Sequence, residues 1–145
     1  MKKVIVAGSR KFTDYALLSR KLEKLLPHPT IVVSGKANGA DSLGERWARE
    51  HGYPVEEHPA DWTNLSVQKC VVRENAHGKY NALAGHNRNQ EMLNSVLANP
   101  DGGGLIAFWD GKSSGTKQMV DIAQKAGLRV VIIRTGNNSE QTNNR

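Results

Sequence analysis

At 145 residues, 38% of them hydrophobic and 23% charged, the chain has the size and balance of one soluble globular domain. No apolar run approaches the roughly 20 residues that a membrane span needs, and a single cysteine, Cys70, excludes an internal disulfide. Cytoplasmic residence, with no membrane partner, is therefore the expectation. The formal net charge of +6 favours anionic partners, but Lys and Arg are scattered without a block. That pattern fits a solvated surface first, a phosphate-bearing small ligand second and nucleic acid third.

In chain order, "KVIVAG" (Lys3–Gly8) is a β-branched run ending in Gly. Its apolar stretch, Val4 to Ala7, is too short for an export signal and reads as a first strand. Asp14–Leu26 follows with Leu18, Leu22, Leu25 and Leu26 at helical spacing, capped by Thr13 or Asp14. Thr30–Gly35 is the second strand. Ala40–Gly52 is a helix stopped by Gly52. "YPVEEHP" is a third strand weakened by two prolines. Asp61 to Gly85 reads as one long irregular region of about 25 residues, which is unusual unless functional. Arg88–Asn99 is a helix, Gly104–Trp109 a strand, Gly115–Leu128 a helix and Arg129–Arg134 a strand. The polar tail, 135–145, is expected to be disordered.

Strands alternating with helices imply a single Rossmann-like, three-layer α/β domain over 1–134, with a parallel sheet of about five strands or more. The runs "VIVA", "IVV", "LIAF" and "VVII" suit strands buried on both faces. Ligands of such sheets sit at the C-terminal strand ends, where the strand order reverses. The turns expected there are "GSRKFTD", "SGKANGAD", "PADW" and "WDGKSSGT", rich in Gly, hydroxyl, Asp and aromatic residues. The opposite turns, "PHP" and "AGL", are plain.

These loops supply the candidate ligand-binding residues. They are Gly8, Ser9 and Arg10 after the first strand; Ser34, Gly35 and Asp41 around the second; Arg88 and Asn89 at the expected start of the third helix; and Asp110, Gly111, Lys112, Ser113, Ser114, Gly115 and Thr116 after "AFW". The last group fits neither a P-loop nor a dinucleotide fingerprint, since its glycine spacing is wrong for both. What remains is an anion nest: converging backbone N–H groups, a helix N-terminus and Lys112. The bland alternative is an ordinary capped helix start. Asp41 reads either as a helix cap or as a carboxylate accepting ribose hydroxyls, and Arg88 as a cation at an unfavourable helix start. Trp62 and Trp109 either stack on a base or pack against the core. No metal spacing among the five His and no nucleophile elbow is present, so neither metal nor cofactor is expected. The acids Asp41, Glu91 and Asp110, with Asp61 behind them, are the only catalytic candidates, and the catalytic residue stays unknown.

Taken together, "VIVAGSRKFTDYALL", "SGKANGADSLGERWA", "PADW", "RNQEM" and "AFWDGKSSGTKQMVDIA" resemble the YspA-like (cpYpsA-related) branch of the SLOG superfamily, over roughly residues 3 to 134. That superfamily also holds the LOG phosphoribohydrolases and the single-strand DNA-binding protein DprA. The resemblance implies a Rossmann-like fold that binds nucleotides or their derivatives, with many members proposed to act in phage–host conflict. LOG enzymes carry R-K-x-x-M and then P-G-G-x-G-T-x-x-E. Here Arg88 and Met92 match the first motif but Asn89 replaces Lys; Gly115 and Thr116 match the second, but Met119 stands at the Glu and Gln118 precedes it. The expected function is therefore binding of a nucleotide-derived small molecule, of ADP-ribose or cyclic-nucleotide type, by a sensor or sequestering protein. A nucleotide N-glycosidase or phosphoribohydrolase is the alternative and single-strand DNA binding the less favoured third reading; homo-oligomerisation stays open.

Overall fold

Val and Ile crowd a helix at χ1 and pack well on a pleated surface, so the β-branched runs form strands and the leucine-spaced segments form helices. The computed structural model describes residues 1–136. Beyond its first two residues, the tail read as disordered lies outside the described residues. The elements are β1 (Lys2–Gly8), α1 (Tyr15–Leu25), β2 (Thr30–Ser34), α2 (Ala40–Glu50), β3 (Val55–Glu57), β4 (Val72–Asn75), β5 (Gly78–Asn81), α3 (Ala84–Leu97), β6 (Gly103–Trp109), α4 (Ser114–Lys125) and β7 (Arg129–Arg134).

A five-stranded parallel sheet has the order β3-β2-β1-β6-β7. Alternation along the strands divides the core between two helical layers. Val6, Val32, Ile106 and Phe108 pack with Leu18, Leu22 and Trp47 of α1 and α2. Ile5, Ala7, Val33, Leu105 and Ala107 pack with Met92, Val96, Met119 and Ala123 of α3 and α4. This is a Rossmann-like, three-layer α/β arrangement. Asp14 caps α1, accepting the Leu17 N–H at 3.0 Å.

The strand order reverses between β1 and β6, which run in register up to Gly8 opposite Phe108. The turns after both strands leave the same sheet end together, joined by the Ser9 N–H donating to the Phe108 carbonyl at 3.0 Å. A Cβ on Gly8 would lie 2.2 Å from that carbonyl oxygen and 2.8 Å from Ala40 Cβ, so only glycine lets β1, β6 and α2 meet there.

Three expectations need correction. The stretch from 61 to 85 is not structureless, because β4 and β5 pair as an antiparallel hairpin. Its β4 residues are all exposed and carry no inward apolar alternation, which hid the strand. Helix α3 begins at Ala84, a turn before Arg88, with Leu83 at the cap position and no side-chain cap to mark the start. The "VVII" run lies on an edge strand, so Val130, Val131 and Ile132 are only partly buried and Ile133 alone is buried.

Buried Asn81 organises the unexpected segment. Its side-chain carbonyl accepts the Val71 N–H at 3.1 Å and the Leu83 N–H at 2.9 Å, while its amide donates to the Lys69 carbonyl at 3.2 Å. One side chain thus ties the hairpin's approach to the start of α3.

Phe108 is fully buried and stacks on Phe12 with ring centroids 5.3 Å apart. Phe108→Ala is expected to cost about 3–5 kcal/mol in urea unfolding, and Asp14→Ala only about 1 kcal/mol. Similar small losses for both would contradict this core assignment.

Candidate functional site

A cleft of about 420 Å³ opens past the end of β1, between the β2–α2 loop, the first turns of α3 and the N-terminus of α4. Of the residues singled out in the sequence, Gly8, Arg10, Asp41, Arg88, Asn89, Ser113, Ser114, Gly115 and Thr116 line it. Ser9, Ser34, Gly35, Asp110, Gly111 and Lys112 do not.

Arg88 is the central group. One turn into α3, it is 8% exposed, so it is a buried cation and not the first-turn cation expected from a later helix start. Its Nη1 donates to the Gly35 carbonyl, and its Nε donates to Asn89 Oδ1 at 3.1 Å. Among the described residues it forms no salt bridge, and its Nη2 has no hydrogen-bond partner there. Burial pulls its pKa down, Asp41 pushes it up, and neighbouring Arg10 pulls it down again; a guanidinium nevertheless stays charged. Gly35 must be glycine for this packing, because a Cβ would lie 2.7 Å from Arg88 Nη1 and 2.8 Å from Asp41 Oδ2.

Across the cleft stands the start of α4. Asp110 accepts the N–H groups of Lys112 and Ser113, each at 2.8 Å, and its own N–H donates to Ser9 Oγ at 3.2 Å. Those backbone donors are therefore occupied by the turn, and the same N–H groups hold the Asp110 pKa low against the effect of burial. The Lys117 N–H donates to the Ser113 carbonyl as the first helical bond. The first-turn N–H groups of Ser114, Gly115 and Thr116 thus have no helical partner, as at any helix N-terminus, and these residues line the cleft.

The departures from the LOG pattern have physical counterparts. Asn89 donates to Gln118 Oε1 at 2.8 Å and to the Gly115 carbonyl at 3.3 Å, tying α3 to the start of α4. Met119 is 1% exposed and belongs to the α3–α4 core, although it also touches the cleft. No carboxylate stands at that position.

The other candidates are placed as follows. Ser34 Oγ donates to buried Glu45 at 2.8 Å and accepts the Lys36 N–H. Lys112 is exposed outside the cleft, and Gly111 packs against the Arg134 guanidinium. Glu91 is exposed and meets His58 at 3.4 Å, and Asp61 is exposed away from the lining. Trp62 lines the cleft, whereas Trp109 donates to the Ser113 carbonyl at 3.0 Å and braces the turn. Sequence reasoning missed Ala7, Ala37, Ala82, Gly85 and His86 in the lining. An earlier start for α3 would have brought Gly85 and His86 into view.

Asp41 is the one catalytic candidate that lines the cleft. It is not the helix cap; Gly39 occupies that position, and Asp41 sits two residues on. The side chain accepts the Ala37 N–H at 3.4 Å and is 4% exposed. Burial pushes its pKa up to about 6, against the opposing pull of Arg88 and the N–H groups of Ala37 and Gly8. A native pKa above the ordinary 3.8 contributes stability that is present in acid and lost as pH rises through about 6. Asp41→Asn should therefore gain on wild type as pH rises from 4 to 7, by on the order of 2–3 kcal/mol. Denaturation at stepped pH reads that difference; a gap that stays flat across the range would contradict a buried, weakly acidic Asp41.

A family model described as YspA, cpYpsA-related SLOG family matches residues 2–64, from β1 to the loop carrying Trp62. The chain is also 37% identical over 139 residues to the Gene 61 protein of Mycobacterium phage D29, which takes in 90% of this chain and 95% of that protein. The first match covers Arg10, Gly35 and Asp41, and the second extends through most of the chain. The family match and the parallel sheet agree: this chain belongs to the YspA, cpYpsA-related SLOG family.

Proposed function

We propose that the cleft binds the phosphate and ribose of a nucleotide-derived small molecule, as in a sensor or a protein that sequesters its ligand. The observation that carries this reading is Arg88, a buried guanidinium without a salt bridge among the described residues, facing a cleft that the N-terminus of α4 also lines. A buried charge is costly unless it is paired. A phosphate between Arg88, Arg10 and the first-turn N–H groups of α4 would supply the missing anion through charge-assisted bonds. Asp41 lies beside Gly35 at the floor, where an ionised carboxylate suits a ribose diol.

Asp41 also favours a second reading. A carboxyl titrating near 6 inside a cleft is suited to general acid–base work, as N-glycoside hydrolysis would require. Incubation with NAD and nucleoside monophosphates, followed by chromatography, separates the two. Intact ligand recovered after denaturation supports binding alone; release of free base, abolished by Asp41→Asn, supports hydrolysis.

Thermal shift across a nucleotide panel tests the primary reading. A ligand at 100 times its Kd should stabilise the fold by about 2.7 kcal/mol. Arg10→Ala should weaken binding by roughly 1.5–3 kcal/mol, whereas Lys112→Ala, outside the cleft, should change it little. No shift with any nucleotide, or equal affinity for wild type and Arg10→Ala, would withdraw the assignment.

A further inference from the structure

A second groove, of about 470 Å³, continues from the mouth of the cleft to the β4–β5 hairpin. Arg10 and Trp62 line both spaces and form the boundary between them. The Arg10 guanidinium lies over the Trp62 ring, 5.9 Å from its centroid. Tyr80 meets the same indole edge-on, with centroids 6.4 Å apart. Lys79 adds a second cation and His77 an imidazole, and no carboxylate is among the described residues that line the groove. Glu74 stands opposite Lys79 in the hairpin register but makes no salt bridge with it.

Two aromatic rings, a lysine that forms no salt bridge among the described residues and a shared arginine make a surface suited to one base and its phosphate. The inner cleft offers charge and hydrogen bonds, and Trp62 at its rim is its only large aromatic side chain. The two spaces meet at Arg10, where a linking phosphate would contact the guanidinium without leaving either half of the ligand in solvent.

We propose that the outer groove is a second nucleotide subsite, so that the ligand is a dinucleotide: two base-bearing halves joined through phosphate, one in the cleft and one on Trp62 and Tyr80. The inference rests on the reading of the inner cleft as a nucleotide site. It gives the hairpin a purpose that its small contribution to the core does not.

Calorimetry with three sets of probes tests it: AMP and GMP, the 5′-phosphorylated dinucleotides pApA and pGpG, and twelve-residue oligonucleotides of the same bases. In the series that binds, the dinucleotide should bind roughly 10- to 100-fold tighter than the mononucleotide, the gain expected of one added base stack. Tyr80→Ala and Lys79→Gln should each remove most of that gain while mononucleotide affinity, read at the inner cleft, stays at the wild-type value. Lys79→Gln keeps the test valid if the Tyr80 variant loosens the hairpin. Equal mononucleotide and dinucleotide affinities would overturn the second subsite and leave the inner-cleft reading standing. Affinity that climbs on to the twelve-residue oligonucleotide would overturn the dinucleotide in favour of a single-strand track. No binding by any probe would remove both readings together.

Discussion

The site is organised around one buried charge. Arg88 is carried by α3 to the wall of the cleft, where only 8% of it is exposed and most of its hydration is lost. Burying an unpaired ion is among the largest penalties a fold can carry, and several neighbouring features answer to it. Gly35 lacks a side chain because its carbonyl must accept from Nη1 in a space a Cβ would fill. Asn89 holds Nε and at the same time fastens α3 to the start of α4. Asp41 lowers the local potential without closing a salt bridge, and its burial keeps it a weak acid. These contacts engage Nε and Nη1 and not Nη2, in a residue that lines the cleft. The protein holds the cation in place without closing a salt bridge to it among the described residues.

The turn after β6 has a related division of labour. Asp110 consumes the backbone donors that would have made the turn itself an anion nest. This rigid turn then presents the next three N–H groups, at the true start of α4. The glycines and hydroxyls of "DGKSSGT" thus divide into a brace, Asp110 to Ser113, and an edge that lines the cleft, Ser113 to Thr116. Met119, at the place of the glutamate in the LOG pattern, is part of the hydrophobic core, and Asp41 is the one acid among the described residues that line the cleft.

Much of the fold was legible because its signals are local. The β-branched runs of β1, β2 and β6 and the leucine spacing of α1 declare themselves within single windows, and the contrast between the rich turns and the plain ones marked the sheet end where the cleft opens. The rest depended on side-chain contacts that no hydrophobic period announces. The start of α3 has no side-chain cap, and the hairpin has no apolar alternation. Both are held by Asn81, whose partners lie at Lys69, Val71 and Leu83. The depth of Arg88 follows from that earlier helix start, so sequence placed it at a surface terminus. Lys112 looked like a ligand because lysines in glycine-rich turns often are, but it stands outside the cleft lining that begins at Ser113.

The most direct measurement is a crystal structure of the protein with a bound nucleoside phosphate. A phosphate oxygen within hydrogen-bonding distance of Arg88 Nη2 and of an N–H group among Ser114, Gly115 and Thr116 is the expected result. A nucleotide seated elsewhere, with Arg88 turned to close a salt bridge with Asp41, would contradict it.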